Sequence, residues 1–592
     1  METVNATQIP RPEYPRPQFA RSQWINLNGQ WEFELDLANT AEERGIPAAD
    51  HLSQTITVPF CPESKLSGIG NKEFMDGVCY KKKVQIPDEW LQSGDRVFVH
   101  IGACDYYARV FVNGKFAGHH YGGFTPFGFD ITDHCTPGET DITVLVSDHT
   151  RDTDIPSGKQ CADYQPDGCY YTRTTGIWQT VWLERVPKTH LKHVKITPSL
   201  VNQSVTFEAD AVCGAGATFI AEIYFAGKLL TTASSVIPWR TVTVSADLPE
   251  VHPWSPESPE LYDVIFRLGE DKVDSYFGLR DIAFVDGKFF LNGKSVFQRL
   301  VLDQGYYPDG VYTAPTEEDL IRDIQISMDI GFNGARLHQK IFEPRFLYHC
   351  DRMGYLVWGE YPNWGMDVGK DSSYRAMLQE WSESLIRDYN HPSIVGWCPL
   401  NETSYDVQPR LAEMLYHMTL SYDATRVFID NSGWKHIDGC YDMYDTHDYC
   451  GDPEEFRKTY EPLIHGEAVP CIAWQAFPDG HFCRKRIQSN EICFISEFGG
   501  IRLKEEKEEH AWGYGEALER DQLVEKYIQL CKAMLDNPKI CAYCYTQLTD
   551  VEQEQNGLYT FTREAKFNAA KIKAAVMEQA AVEGITLEDL QK

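Results

Sequence analysis

The 592-residue chain has no uninterrupted apolar run approaching the ~18 residues that a membrane helix needs. Its first thirty residues contain no apolar h-region, so no secretory signal is expected. Positive charge is scarce: 55 Lys and Arg stand against 87 Asp and Glu, a net charge of −32. Such a surface repels phosphate backbones and anionic lipid, which argues against nucleic acid and membranes as main partners and mildly disfavours polyanionic substrates. Regular cysteine spacing is missing as well. Seventeen Cys are scattered through apolar runs, a pattern that reads as buried reduced thiols in a cytoplasmic protein. The one close pair, Cys541 and Cys544, has no second pair at zinc spacing and reads as strand packing. There is no HExxH motif, no close His/carboxylate ligand set, no GxSxG and no Gly-rich phosphate loop, so neither a catalytic metal nor a cofactor is expected.

What is present is an ordinary globular composition, 43% hydrophobic and 13% aromatic. Residues 1–185 read as short strands (WEFELD, TITVPF, YKKKVQI, DRVFVHIG, TDITVLVSD) broken by Gly, Pro and Asn. Asn113-Gly114 inside VFVNGKF is a hairpin signal, because a type I′ turn needs positive φ at both central positions. A jelly-roll β-sandwich fits this stretch. Residues 186–275 carry further strands and no helix, as in a small immunoglobulin-like β-sandwich; HPWSPESPELY (252–262) is too rich in Pro for regular structure. From 276 to 592 strands and helices alternate. Thr316 and Asp319 form an acidic relative of the capping box, Leu320, Ile321, Ile324 and Met328 share a helical face, and Gly331 ends the helix. Roughly eight strands follow this grammar, near 297–303, 333–338, 355–360, 393–402, 427–431, 442–449, 492–497 and 539–548, which predicts a (β/α)8 TIM barrel.

Active sites of such barrels lie at the C-terminal strand ends. The polar residues there are Asp303 and Gln304, Arg336 and His338, Glu360, Asn401 and Glu402, His447 and Tyr449, Glu497, and Tyr545, Gln547 and Asp550. Carboxylates, Asn, His, Arg and aromatics without a phosphate loop suit a neutral polyhydroxylated ligand. Glu402 ends the apolar strand SIVGWCPL and Glu497 ends CFIS. A low-dielectric wall raises a carboxyl pKa, and two carboxyls in different surroundings can divide acid and nucleophile roles. A separation of ~5 Å goes with retention at the anomeric carbon and ~7–9 Å with inversion; the sequence leaves both open. Each residue also has a structural reading: His338 and His447 as core histidines, Arg336 as the partner of a barrel carboxylate, Trp358, Trp364 and Trp474 as packing instead of sugar platforms, and Glu360 as an orienting group.

NHPSIVGWCPLNE (390–402) and FISEFGG (494–500) resemble the two catalytic signatures of glycoside hydrolase family 2, the β-galactosidases, β-glucuronidases and β-mannosidases. LNGQWEF (27–33), VFVNGKFAGHHYGGFTPFGFDIT (110–132) and TTGIWQTVWLE (174–184) resemble its N-terminal sandwich, WSPESPELY (254–262) the end of its immunoglobulin-like domain, and GFNGARLHQ (331–339) and YTQLTDVEQEQNGLYT (545–560) its barrel. The resemblance implies Glu402 as general acid/base, Glu497 as nucleophile and Asn401 on the sugar 2-hydroxyl. It further implies substrate contacts from Asp303, Arg336, His338, His447 and Tyr449, with Tyr545 and Trp474 as candidate ring contacts. The chain departs from the family at several points. The stretch LTDVEQEQNGLYTFTRE has no Lys where the β-glucuronidases carry Asn-x-Lys, the eighth strand ends in Tyr545-Thr546 where many members have Trp, and RLVLDQGYYPDG replaces a His-containing pattern. The expectation is a retaining, intracellular exo-glycosidase releasing a neutral, β-galactoside-like sugar from an oligosaccharide or glycoside. Arabinosides, galactofuranosides, mannosides, less readily glucuronides, and a non-catalytic carbohydrate-binding relative are the alternatives. Multidomain relatives often assemble, so a homo-oligomer is compatible with this reading.

Overall fold

The computed structural model describes residues 9–403, 409–470, 486–487, 493–504 and 511–591. Separate hydrophobic cores organise them. The first lies between a six-stranded antiparallel sheet (54–58, 29–35, 77–86, 138–147, 107–112 and 115–121, in spatial order) and a four-stranded sheet (24–26, 181–186, 96–101 and 127–130). Leu27, Trp31, Phe33, Val99, Val110 and Val144 fill it. Asn113 and Gly114 adopt φ of 49° and 74°, the two left-handed positions that the hairpin turn requires. The second core lies between a three-stranded sheet (190–199, 204–212, 241–247) and a four-stranded one (228–236, 218–225, 262–268, 271–277). Alternation sets it: along Ser204–Val212, Val205, Phe207, Ala209 and Ala211 point inward. The Pro-rich stretch is more ordered than its composition suggests, because Trp254–Ser255 pairs with Ser258–Pro259.

The third unit is the barrel. Its strands are β1 (Gln298–Asp303), β2 (Gly334–Leu337), β3 (Leu356–Glu360), β4 (Ile394–Cys398), β5 (Val427–Phe428), β6 (Tyr444–His447), β7 (Cys493–Gly499) and β8 (Ile540–Thr546). They pair in parallel in the order β5-β4-β3-β2-β1-β8-β7-β6. Reciprocal hydrogen bonds between Phe428 and Asp442, both 2.9 Å, tie the two ends together. After β1, helix α1 (Glu317–Ile330) begins at a capping box in which Thr316 and Asp319 bond each other reciprocally, and ends at Gly331 with φ 109°. Leu320, Ile324, Ser327 and Ile330 are buried while Ile321 lies half-exposed on the flank. No helix among the described residues is long and apolar enough to cross a membrane.

Strand parity decides what reaches the barrel mouth. Leu300, Leu302, Leu356, Trp358, Phe494 and Cys544 point into the lumen, where the Trp358 and Phe494 rings, from β3 and β7, meet at 5.7 Å. Phe289, Leu291 and Trp254 join this cluster. Residues of the other parity (Val301, Ala335, Leu337, Val357, Tyr543) pack against the helices. Moving up the lumen, the inward positions change from apolar to Arg336, Glu360, Asn401, His447 and Glu497.

Candidate active site

Arg336, on β2 and 1% exposed, is the hub. Its Nε donates to Glu360 Oε1 at 2.6 Å, Nη1 to the Ser496 carbonyl at 2.7 Å and to Glu497 Oε1 at 3.3 Å, and Nη2 to Asn401 Oδ1 at 2.9 Å. One rigid guanidinium thus fixes groups from β3, β7 and the segment after β4 together, and its buried charge is matched by two carboxylates. Glu360 is used up: its second oxygen accepts from His338 Nδ1 at 3.0 Å and the Gln339 amide at 3.3 Å. Burial, and next the Lys159 charge, press the His338 pKa well below the ordinary value, so its ring is neutral.

Asn401 and Glu402 follow β4. The Asn401 amide donates to Asn363 Oδ1 (2.9 Å) and the Glu402 amide to the Ser432 carbonyl (2.9 Å). Asn401 Nδ2 is buried without a partner, a donor left over for a ligand. Glu402 has φ 45°, a left-handed conformation that non-Gly residues adopt at an energetic cost and that is common at functional sites. Its side chain is 16% exposed, whereas Glu497 is almost enclosed. Tyr449 donates a short hydrogen bond to Glu497 Oε2 and stacks on Tyr514 with ring centroids 3.7 Å apart.

His447 stands between the two glutamates. Nδ1 donates to Glu402 Oε1 at 2.7 Å. Nε2 lies 3.1 Å from Ser432 Oγ and 3.4 Å from Glu497 Oε1. Since Ser432 spends its own proton on Asp445 Oδ2 (2.6 Å), its oxygen accepts from Nε2, and both ring nitrogens carry hydrogen. The electrostatics agree. Burial lowers the His447 pKa, but Glu497 and Glu402 more than offset it and raise it. Burial raises the Glu402 pKa, but the bond and charge of His447 outweigh that and lower it. The expected upward shift of this carboxyl is therefore reversed by a neighbour that the sequence did not place beside it. Ligand atoms of Glu402, His447 and Glu497 all lie within 4.8 Å of one another, so among the described residues these three could hold a metal. His447 already bridges the two carboxylates, 2.7 Å from Glu402 and 3.4 Å from Glu497, an arrangement that suits acid/base work.

The structure brings Arg336, His338, Asn401, Glu402, His447, Tyr449 and Glu497 together, and it leaves others out. Asp303 does not face the mouth: it has the register of Leu337 and the parity of Val301, points to the helix layer, and is surrounded by Asp323, Arg563 and Lys340. Burial and next Asp323 push its pKa up to about 7. Tyr545 has the same outward parity and packs edge-on against Tyr527 (4.9 Å) and Phe498 (5.4 Å), so it is core and not a sugar platform. The inward residue beside it is Thr546, whose Oγ1 is 3.3 Å from the Tyr449 hydroxyl. Trp474 lies outside the described residues. Trp358 is lumen core, while Trp364 lines the site, its Nε1 donating to the Asn401 carbonyl at 3.1 Å.

Models of three domains match successive parts of the chain: "Glycosyl hydrolases family 2, sugar binding domain" at 25–187, "Glycosyl hydrolases family 2" at 189–280 and "Glycosyl hydrolases family 2, TIM barrel domain" at 282–475. The chain belongs to glycoside hydrolase family 2. Among its family-2 relatives, a β-galactosidase of Thermoanaerobacter pseudethanolicus is 27% identical over 63% of this chain and 49% of its own length. A β-glucuronidase of Canis lupus familiaris is 25% identical over 75% of this chain and 77% of its own. The chain spans a third to about half the length of bacterial β-galactosidases that it matches. The solved β-glucuronidase of Faecalibacterium prausnitzii superposes with a TM-score of 0.77 at 22% identity, covering 97% of this chain and 100% of that one. At that identity the likeness is one of fold.

The strand-end reading missed the contribution of the N-terminal sandwich. Residues 148–175 contain no strand or helix and reach the barrel mouth. The Ser157 and Gly158 amides donate to the Trp364 carbonyl (2.9 and 3.0 Å), the Thr172 amide to Glu552 (2.9 Å), and the Tyr171 hydroxyl to Glu554. This loop delivers Lys159 and Tyr170 to the site. Its length was the available signal, since connections beyond ~12–15 residues are uncommon and usually functional.

Proposed function

We propose that the chain is a retaining exo-glycosidase, with Glu497 as nucleophile and Glu402 as acid/base. The observation that carries this is the approach of one carboxyl oxygen of each to within 4.8 Å, a closeness that supports double displacement over inversion. Glu497 Oε2 or Oε1 attacks the anomeric carbon, the bond to the aglycone oxygen breaks, and that oxygen takes a proton from the Glu402–His447 pair. Water then gives a proton to Glu402 and displaces Glu497, so configuration is restored. The resting proton sits on the His447 side of the 2.7 Å bond and moves to Glu402 as charge develops on the leaving oxygen. The free Nδ2 of Asn401 supports the 2-hydroxyl contact. The wall formed by residues 148–175 supports attack from the chain end. The boundaries near 185 and 275 fit two sandwiches that brace the barrel.

A neutral, β-galactoside-like sugar is the simplest glycone. Its ground is the absence, in LTDVEQEQNGLYTFTRE after β8, of the Asn-x-Lys element that the β-glucuronidases carry. The test is a panel of nitrophenyl pyranosides and furanosides, followed on the best substrate by NMR of the first product. We expect retained configuration, and a fall of at least ~10³-fold in turnover for Glu497→Gln. An inverted product, or unchanged turnover in that variant, would refute the assignment.

A further inference from the structure

We propose that Arg280 holds a small organic carboxylate with an apolar body in a second site, at the end of the barrel opposite the mouth. The proposal does not depend on the hydrolase reading. A cavity of about 490 Å³ lies there, between the second sandwich and the starts of β4 and β5. Ile196, Pro198, Leu200, Ile282 and Leu587 give it apolar walls. Arg280, in the segment that leads from the second sandwich to the barrel, also lines it and is only 6% exposed. Its Nε donates to the Pro392 carbonyl at 2.7 Å and its Nη2 to the Ile394 carbonyl at 2.8 Å. These bonds fix the guanidinium by one edge. Nη1 makes no hydrogen bond and, unlike the sealed Nη1 of Arg387, keeps accessible surface.

A buried guanidinium is normally paired with a carboxylate. Among the described residues, none lies within ion-pair distance of Arg280. The acids that act on it through space, Asp423 and Asp351, are engaged elsewhere. Asp423 accepts from Arg426 and from the Trp397 indole, both at 2.7 Å. Asp351 accepts from the Tyr276 hydroxyl at 2.8 Å and contacts His391 at 2.5 Å. Other polar groups of the cavity are paired as well. Asp281 accepts from the Leu200 and Val201 amides (3.1 and 2.8 Å), and Asn390 binds Ile196 and Val194 (2.8 and 2.9 Å). Burial, and next the Arg426 charge, press the Arg280 pKa down to about 9, so at neutral pH the group is charged and poorly compensated. A carboxylate at Nη1 supplies the missing counter-charge through a charge-assisted bond. The aliphatic walls then cover the rest of the molecule. A phosphate dianion would need more donors than one free guanidinium edge offers, and chloride would leave the walls uncovered.

The test is isothermal titration calorimetry of the full chain with octanoate and 4-phenylbutyrate, against octanol, 4-phenylbutanol and inorganic phosphate. One carboxylate per chain should bind, at least tenfold more tightly than its alcohol and than phosphate. Arg280→Met should weaken it by about 10- to 100-fold, the weight of one hydrogen bond to a charged group. That variant also removes two bonds to the backbone, so Ala283→Phe is the second arm. Ala283 lines the cavity, and a ring there takes up the space while Arg280 keeps its bonds. With a urea midpoint near wild type, Ala283→Phe should weaken carboxylate binding tenfold or more, and Glu497→Gln should leave it unchanged. A carboxylate that binds no better than its alcohol or phosphate overturns the proposal. So does binding unmoved by Ala283→Phe, or binding lost in Glu497→Gln, which would put the ligand at the barrel mouth.

Discussion

Replacing Arg336 by Lys is the sharpest probe of how the site is held. The substitution keeps the buried positive charge, so Glu360 and Glu497 are not stranded, but an ammonium has no planar fork. Arg336 presents bonds of 2.6, 2.7, 2.9 and 3.3 Å to Glu360, Ser496, Asn401 and Glu497. A lysine can keep the shortest, to Glu360, and cannot also span β4 and β7. Two further bonds are then lost, those to Asn401 and Glu497, the groups proposed to meet the substrate. At about 1.5–3 kcal/mol for each bond involving a charged group, the transition state loses about 3–6 kcal/mol, a fall of roughly 10²–10⁴-fold in kcat/KM. The assay is kcat/KM on the best nitrophenyl glycoside, with the urea midpoint as a check on folding. A folded Arg336→Lys protein within about tenfold of wild type would refute the claim that this guanidinium sets the site's geometry.

The Glu402–His447 pair predicts a pH profile. The His447 pKa is raised, so the pair keeps its catalytic proton above pH 6.5 and activity falls as pH rises through that higher value. In His447→Gln the last proton sits on a carboxyl alone, and the basic limb of kcat/KM should move to lower pH; an unmoved limb would sink the shared-proton account. Tyr545→Phe tests the outward parity of β8: kcat/KM should stay within about threefold of wild type, and a fall beyond tenfold in a folded protein would return Tyr545 to the substrate.

Much of this architecture was readable from local pattern. Thr316 with Asp319, Asn113-Gly114 and the alternation through Val205, Phe207 and Ala209 are short-range devices whose physics lies within a few residues. The strand-ending glutamates were found the same way. Parity at the strand ends was not. Asp303 and Tyr545 lie near the C-terminal ends of their strands as Glu497 does, but a one-residue step turns a side chain from the lumen to the helices, and only the pairing of Asp303 with Leu337 and of Tyr545 with Val301 fixes which way each goes.

The linear chain therefore carried the three-part fold and singled out Glu402 and Glu497 as candidates, because apolar periodicity, turn chemistry and short signature runs are local. Folding in three dimensions decided how they are protonated and what surrounds them. His447 sits 45 positions from Glu402, and Lys159 arrives from another domain. Electrostatic coupling acts through space, and no spacing rule along the backbone encodes it.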